Sequence, residues 1–450
     1  MAFSQQEVIE QTQLMLEWRR ADLPRLARLY QYIHGKQKFL WLPSEPPVEV
    51  QRMAEMSRVN VLGLVIDSVT QSMYVDGYRA PKATGEAPAW DIWQKNKLDA
   101  RQLGLHRAAL SYGVAYASVL PGDTVPVIRP ISPRDITTVY GEDDDWPIFA
   151  LERRRSAVVD RTLYRLLDDE MAYWVSVGKD GADVRFVSSE EHGANVCPVV
   201  RFLAKSDLDE EVTSEVEDLI SIQDQINLTT FGLLVVQHYG AFPQKWIAGW
   251  TPENENEQLQ VGAERILTFD DSETRLGQFE AASLEGYIES RKDALRNLAA
   301  ISQTPAHALR GELINLSAEA LAAAEQTERR KIDERETMFG EAWEQTLALA
   351  GKLAGVETDP QAQVRWKDTE ARAFAATVDA LGKMAMMLGI PVEELWERVP
   401  GATQQDVERW KLASRKNRAG LTVTALAQAA ERAQQDPQVS AVVARGADAL

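Results

Sequence analysis

Residues 216–239 read Val216-Glu217-Asp218-Leu219-Ile220-Ser221-Ile222-Gln223-Asp224-Gln225-Ile226-Asn227-Leu228-Thr229-Thr230-Phe231-Gly232-Leu233-Leu234-Val235-Val236-Gln237-His238-Tyr239. Val216, Leu219, Ile226 and Leu233 recur at three and seven, the spacing of one helix face. The wider segment 206–239 holds no proline and one glycine, Gly232, so nothing in it interrupts a helix. A helix over all of it would reach about 50 Å at 1.5 Å per residue.

The pattern changes on both sides of this stretch. After it, 240–285 carries Phe242-Pro243, Trp246, Trp250, Pro252 and Ile266-Leu267-Thr268-Phe269, which reads as a small β-rich insertion. A helix returns over 287–301, so the two helices are expected to pair as an antiparallel stalk. Thr304-Pro305 and Gly311 mark an irregular break over 302–316. A long helix over 317–352 follows, with Ser317 as N-cap and Gly351 and Gly355 as its stop. Phe374, Val378, Leu381, Met384 and Leu388 keep a helical period up to Gly389-Ile390-Pro391, and the end after Gly420 is Ala- and Gln-rich.

Upstream, 5–35 reads as helix, with Pro24 expected to kink or divide it. A second helix covers 61–73 and a third 103–112. Between and after them come β-like runs at 73–78, 116–120, 125–131, 148–155, 174–176 and 184–187. This mixed region ends near Phe202, and the fold class expected is α+β.

Charge narrows the function. The 450 residues carry 49 Lys+Arg against 68 Asp+Glu, a net charge of −19. A protein that clamps nucleic acid by its phosphates shows a basic face, so a DNA grip is excluded. The acidity also opposes adsorption to anionic membranes. Segment 205–239 sets one lysine against eight carboxylates, and 240–285 sets three cations against nine. These are either solvated faces or surfaces that must not hold a passing polyanion. The single cysteine, Cys197, cannot form an internal disulfide, which suits a reducing compartment. The start Met1-Ala2-Phe3-Ser4-Gln5-Gln6-Glu7 has no secretory signature, and no run of about 18 apolar residues, the length of a membrane span, is present.

Catalytic motifs are missing. His34-Gly35-Lys36 and Ala350-Gly351-Lys352 lack the partner glycine and the following Ser or Thr of a phosphate loop. GxGxxG, HExxH and GxSxG do not occur. The histidines stand at 34, 106, 192, 238 and 307, with no ligand spacing; His192 and Cys197 are near in sequence, but two donors do not make a metal site. Glu142-Asp143-Asp144-Asp145 lacks the spaced ligands of a calcium loop. Trp246 and Trp250 stand beside Glu253, Glu255 and Glu257, which favours a core or protein interface over base stacking. No cofactor is called for.

Four strings, in this order, resemble portal proteins of tailed bacteriophages, of the type found in long-tailed phages of actinobacteria. The first runs Asn60-Val61-Leu62-Gly63-Leu64-Val65-Ile66-Asp67-Ser68 to Val75-Asp76-Gly77-Tyr78. The second is Ile92-Trp93-Gln94-Lys95-Asn96-Lys97-Leu98-Asp99 with Ala108-Ala109-Leu110-Ser111-Tyr112-Gly113-Val114-Ala115-Tyr116. The third runs from Pro198-Val199-Val200-Arg201-Phe202 through Ser214-Glu215-Val216 and Gln223-Asp224-Gln225-Ile226-Asn227 to Phe242-Pro243-Gln244-Lys245-Trp246. The fourth is Thr304-Pro305-Ala306-His307 with Asn315-Leu316-Ser317-Ala318-Glu319-Ala320-Leu321. Together they span about 60–350; the flanks match in general character only.

The resemblance implies a portal fold and a ring, usually of twelve subunits, at one capsid vertex. It implies an N-terminal part of the wing over 1–204, stem helices over 205–239 and 286–301, and a clip over 240–285. It further implies a tunnel loop over 302–316, a long wing helix over 317–356, a helical crown over 357–420 and a partly disordered tail over 421–450. Thr304, Pro305, His307, Arg310, Gly311 and Asn315 would line the DNA channel at the loop. Lys245, Trp246, Trp250, Glu253, Glu255 and Glu257 would dock partners at the clip. Glu215, Asp218, Asp224, Arg291 and Lys292 would line the stem. The implied partners are double-stranded DNA, the terminase large subunit, a head–tail adaptor, and the major capsid and scaffolding proteins, with no membrane. The implied setting is the virion, and the host cytoplasm during assembly. The implied role is non-enzymatic: conduit for packaging and ejection, and nucleator of the capsid. The residues themselves leave open a helical intracellular scaffold or adaptor with no DNA function.

Overall fold

The computed structural model describes residues 3–416, apart from 40–41, 43, 82–85, 143–144, 155–159, 180, 206–211, 241–244, 249–274, 279–282, 311–317, 368–373, 400–401, 403–405 and 408. The chain forms two compact units, Met1–Trp366 and Lys367–Leu450.

The first unit opens with helix α1, Gln5–Ile33, started by a capping box between Ser4 and Glu7. Pro24 lies inside α1 and does not divide it. It sits on the exposed face, where water can serve the carbonyl that proline leaves without an N–H. Helices α2, Val48–Met56, and α3, Val61–Ser72, follow, the second capped by Asn60. Strand β1, Val75–Arg79, leads to α4, Trp90–Lys95, and α5, Leu98–Tyr112. Gly113, at φ 89°, ends α5 in a conformation that side chains disfavour.

Two antiparallel sheets complete the N-terminal region. The first comprises β2, Val114–Leu120, with β3, Val127–Ile131, on one side and β9, Val199–Leu203, on the other. The second is a five-stranded meander of β4, Ile136–Tyr140; β5, Pro147–Arg154; β6, Arg161–Leu167; β7, Met171–Gly178; and β8, Val184–Glu191. Val8, Met15 and Leu16 of α1 pack on Leu151, Leu166, Tyr173 and Val175 of the meander.

A turn of 3-10 helix, Glu217–Leu219, opens α6, Ile220–Gly240. The helix thus begins well after Lys205, because Ser214 and Glu215 are tied to α5 in a non-helical path: Ser214 Oγ donates to the Ser111 carbonyl (2.8 Å), and the Glu215 amide to that of Leu110 (3.1 Å). Strands β10, Lys245–Ala248, and β11, Arg275–Gln278, pair antiparallel with Lys245 opposite Gln278. Helix α7, Glu285–Ser302, returns alongside α6. Their close approach runs through Gly232, where a Cβ would stand 2.7 Å from the Tyr287 ring.

A short helix α8, Ala306–Arg310, precedes the long α9, Ala318–Ala354. Phe339, Trp343 and Leu347 of α9 sit in the main core with Trp93, Leu110 and Phe202. Strand β12, Gln363–Trp366, then returns antiparallel to β1, so the first unit extends to Trp366, past the expected start of the crown at 357. The second unit contains α10, Phe374–Leu388, α11, Val392–Leu395, and a 3-10 turn, Trp396–Arg398.

The span Glu217–Gly240 is long and apolar enough to cross a membrane by length and composition, with a mean hydropathy of 1.3. Its Gln223, Asp224 and Asn227 are nevertheless hydrogen-bonded to neighbouring protein segments.

Candidate functional site

The expected tunnel loop is anchored by a buried charge cluster. Helix α7 ends at Ser302, and Gln303 takes the left-handed conformation (φ 55°) that turns the chain out of the helix. The Thr304 amide donates to the Ala299 carbonyl (3.1 Å), and Thr304 and Pro305 are buried. Lys331, between three and four turns into α9, donates from Nζ to the Ser302 carbonyl (3.0 Å). The same Nζ lies 2.9 Å from Glu215, and Arg335 approaches Glu215 at 2.7 Å. All three side chains are almost wholly buried, at 5% exposure or less. One carboxylate therefore fastens the entry to α6, the exit of α7 and the body of α9 together. Burial pushes the Glu215 carboxyl up, but Lys331 and Arg335 outweigh it and hold the group below its ordinary value.

The root of α6 is held on two further sides. Arg25 of α1 pairs with Glu217 (2.9 Å) and donates to the Val212 carbonyl (2.7 Å). Tyr32 donates to Asp224 (2.8 Å), and burial with that carboxylate pushes the phenol up to about 12. Gln223 and Asn227, one turn apart, read the backbone before α3. The Val61 amide donates to Gln223 Oε1 and the Val59 amide to Asn227 Oδ1, both at 3.1 Å. Gln223 Nε2 donates back to the Val59 carbonyl (2.6 Å). Asn60 between them caps α3 through the Gly63 amide (3.0 Å) and donates to the Ile33 carbonyl (2.6 Å). The first and third of the four strings quoted above thus meet in one polar lock.

The structure separates the stem residues expected to line a channel. Glu215 is turned inward and is unavailable to a lumen; that expectation is corrected, because two cations buried from α9 require it. Asp224 is half-buried under Tyr32. Asp218 is exposed, Lys292 pairs with Glu289 on α7 (2.8 Å), and Arg291 is half-buried with its Nε without a hydrogen-bond partner among the described residues. In the loop, His307 is half-exposed on α8. Arg310 closes α8, and its side chain lies outside the described residues, as do Gly311 and Asn315 altogether. At the clip, Lys245 and Trp246 begin β10, while Trp250, Glu253, Glu255 and Glu257 lie outside the described residues.

Sequence reasoning missed Lys331 and Arg335, which read as the polar face of a long helix. It also missed His106. Trp343 Nε1 donates to His106 Nε2 (2.9 Å), so the proton sits on Nδ1, which faces the Met73 carbonyl at 3.3 Å. Complete burial lowers this histidine to about 3 against the weaker pull of Met73. His192 and Cys197 are used structurally: His192 Nδ1 accepts from the Ala194 amide (3.3 Å), and the Cys197 thiol points to the Leu167 carbonyl (3.6 Å).

A family model described as phage portal protein, SPP1 Gp6-like, matches residues 16–419. The chain belongs to the phage portal protein family. It is 27% identical over 368 residues to the portal protein of Mycobacterium phage D29, covering 75% of this chain and 74% of that one. To the portal protein of Mycobacterium phage L5 it is 26% identical over 376 residues, with the same coverage. Among solved structures, a chain of the virion of a native gene transfer agent particle superposes with a TM-score of 0.49 at 14% identity, covering 81% of this chain and 98% of that chain. A chain from the neck of the empty particle, computed with C6 symmetry, gives 0.49 at 13%, covering 82% and 96%. The portal match runs through the α+β region and helices α6, α7, α8 and α9, and the family is structural rather than enzymatic.

Proposed function

We propose that this portal chain forms a ring, of twelve subunits by the family resemblance, through which the phage genome passes into and out of the capsid. The observation that carries the reading is the family match over residues 16–419, which takes in the whole stem–loop–helix junction. In this reading α6 and α7 are the stem, β10 and β11 belong to the clip, and α8 with the residues up to 317 forms the loop nearest DNA. His307 and Arg310 meet phosphate transiently there, while Glu215 and its two cations hold the loop's base rigid.

The clip docks the terminase during packaging and the head–tail adaptor afterwards, and the ring seeds capsid growth with the major capsid and scaffolding proteins. The chain itself catalyses nothing; ATP chemistry belongs to the motor. The ring assembles in the host cytoplasm. Electron microscopy of the purified protein tests the reading: rings with a central hole are expected, and a monomer at every salt and protein concentration overturns it. Replacing 302–316 by a Gly/Ser linker is expected to leave rings intact and to block DNA packaging. Undiminished packaging would favour an adaptor with no DNA role.

A further inference from the structure

Strands β3, β5 and β6 border an open cavity of about 860 Å³. A second cavity of about 530 Å³ shares Ser132, Asp135, Arg153 and Thr162 with it, so the two form one cleft. In a chain of net charge −19, the walls are arginine-rich: Arg129, Arg153, Arg154 and Arg161 in the larger part, Arg19 and Arg134 in the smaller. The lining carboxylates are two, Glu152 and Asp135.

Those two carboxylates are already engaged. Glu152, 1% exposed, pairs with Arg129, with Arg154 (3.2 Å) and with Arg165 (2.6 Å). Arg161 is taken up by Asp183 (2.6 Å) and Ser176 (2.6 Å), whereas Asp135 meets Arg153 at 3.5 Å with both half-exposed, a weak pair that leaves Arg153 the most available cation of the larger part. Burial, and then the neighbouring charge of Arg165, lowers Arg154. Arg19 adds an independent sign. It is 6% exposed, its Nη2 donates to the Arg134 carbonyl, and its Nη1 is buried with no hydrogen-bond partner among the described residues. A buried charged donor without an acceptor is costly, so this wall gains from an anion.

We propose that the cleft is a docking site for an acidic, extended polypeptide segment of a partner protein. Guanidinium groups are strong carboxylate partners, and in the same wall Glu152 already takes one nitrogen each from Arg154 and Arg165. The cavity is of ligand size and takes in side chains. Duplex DNA presents its phosphates along a stiff rod, which cannot thread side chains into a cavity of this volume as a flexible peptide can. The rest of the chain repels an acidic partner, so its attachment is confined to this cleft and its orientation is set there.

The test is fluorescence anisotropy of a labelled alternating Glu-Asp peptide at about 0.15 M ionic strength. A short DNA duplex and inorganic phosphate serve as competitors. The peptide is expected to bind and to be displaced poorly by both. Arg153→Glu with Arg154→Gln is expected to weaken binding at least about tenfold, and Arg153→Glu alone by several-fold. Arg153 is half-exposed, so the single variant folds regardless of the double. Lys383→Gln on α10, an exposed cation outside the cleft, is expected to leave binding unchanged. The proposal is overturned by no peptide binding, by equal binding in Arg153→Glu, by DNA binding more tightly through the same arginines, or by phosphate displacing the peptide completely. Ring images of the same samples keep this outcome separate from the portal reading.

Discussion

Replacing Glu215 by Ala is expected to loosen the junction on which the loop stands. The perturbation removes one carboxylate and leaves Lys331 and Arg335, with side chains 2% and 5% exposed, facing each other without an anion. Lys331 keeps the Ser302 carbonyl, and Arg335 also pairs with the exposed Glu334 at 2.8 Å, so neither cation is wholly abandoned. Breaking a buried pair from one side costs about 3–5 kcal/mol, most of it the burial of uncompensated charge. Chemical denaturation should show that loss as a lowered midpoint at unchanged slope. The triple variant Glu215→Leu, Lys331→Met, Arg335→Met removes all three charges and is expected to recover most of it. The pH dependence has a sign. Glu215 is held below its ordinary value, so its contribution is present above about pH 4.5 and is lost as pH falls through the folded-state value. A Glu215→Ala protein within about 1 kcal/mol of the parent, with no recovery in the triple variant, would refute the clasp as a structural keystone.

His106 should make the protein acid-sensitive. Its folded value of about 3 lies below the ordinary 6.5, so the unfolded chain binds the extra proton first, and stability falls as pH drops from 6.5 toward 3. Between pH 6.5 and 5 the loss amounts to about 1.6 kcal/mol, the slope rising to 1.36 kcal/mol per unit as the unfolded histidine fills; His106→Leu should flatten that part of the unfolding curve, and an unchanged slope refutes it. Gly232→Leu should cost about 1–3 kcal/mol by driving side-chain atoms into the Tyr287 ring, and Tyr287→Ala should relieve it in a double-mutant cycle. Additive effects of those two substitutions would show that α6 and α7 do not meet there.

The helices were legible where local pattern decides them. The Val216–Leu233 stripe, the Phe339–Trp343–Leu347 stripe and the Gly355 stop, at φ 65°, all carry their signal within a few turns. Strand β4, Ile136–Tyr140, escaped because a short edge rich in Thr has little apolar alternation to reveal it, and β6, Arg161–Leu167, because Arg161 and Arg165 break the period-2 pattern of a strand paired on both sides. Strand β12 escaped because its partner, β1, lies far back in the chain, and pairing at that distance leaves no local trace. The start of α6 was read too early for the same reason. Nothing in Ser214-Glu215 announces that α5 will take their hydrogen bonds. The exit from α7 was recognisable by Thr304-Pro305, although helix α8, Ala306–Arg310, lies inside the stretch expected to be irregular, and the contact that holds this exit, Lys331 on Ser302, joins residues that only the tertiary fold brings together.

Segment charge is the clearest case of information that sequence holds in the wrong form. Residues 205–239 carry eight carboxylates against one lysine, which suggests a repulsive channel wall. Three of the eight do other work: Glu215 holds Lys331 and Arg335, Glu217 holds Arg25, and Asp224 takes the Tyr32 hydroxyl. On α7, Lys292 and Arg296 answer Glu289 and Asp293 within one turn, so that helix presents balanced pairs. The acidity of the described stem root is therefore spent on fastening, with Asp218 left facing solvent. Whole-chain charge acts at long range through all its groups and still disfavours adhesion to a polyanion. A local wall acts through the groups that reach it, and a carboxylate clamped between two buried cations contributes almost nothing there. Any repulsion of a polyanion thus rests on the net charge of −19 over the whole chain, while the described carboxylates beside Ser302 and α6 serve packing.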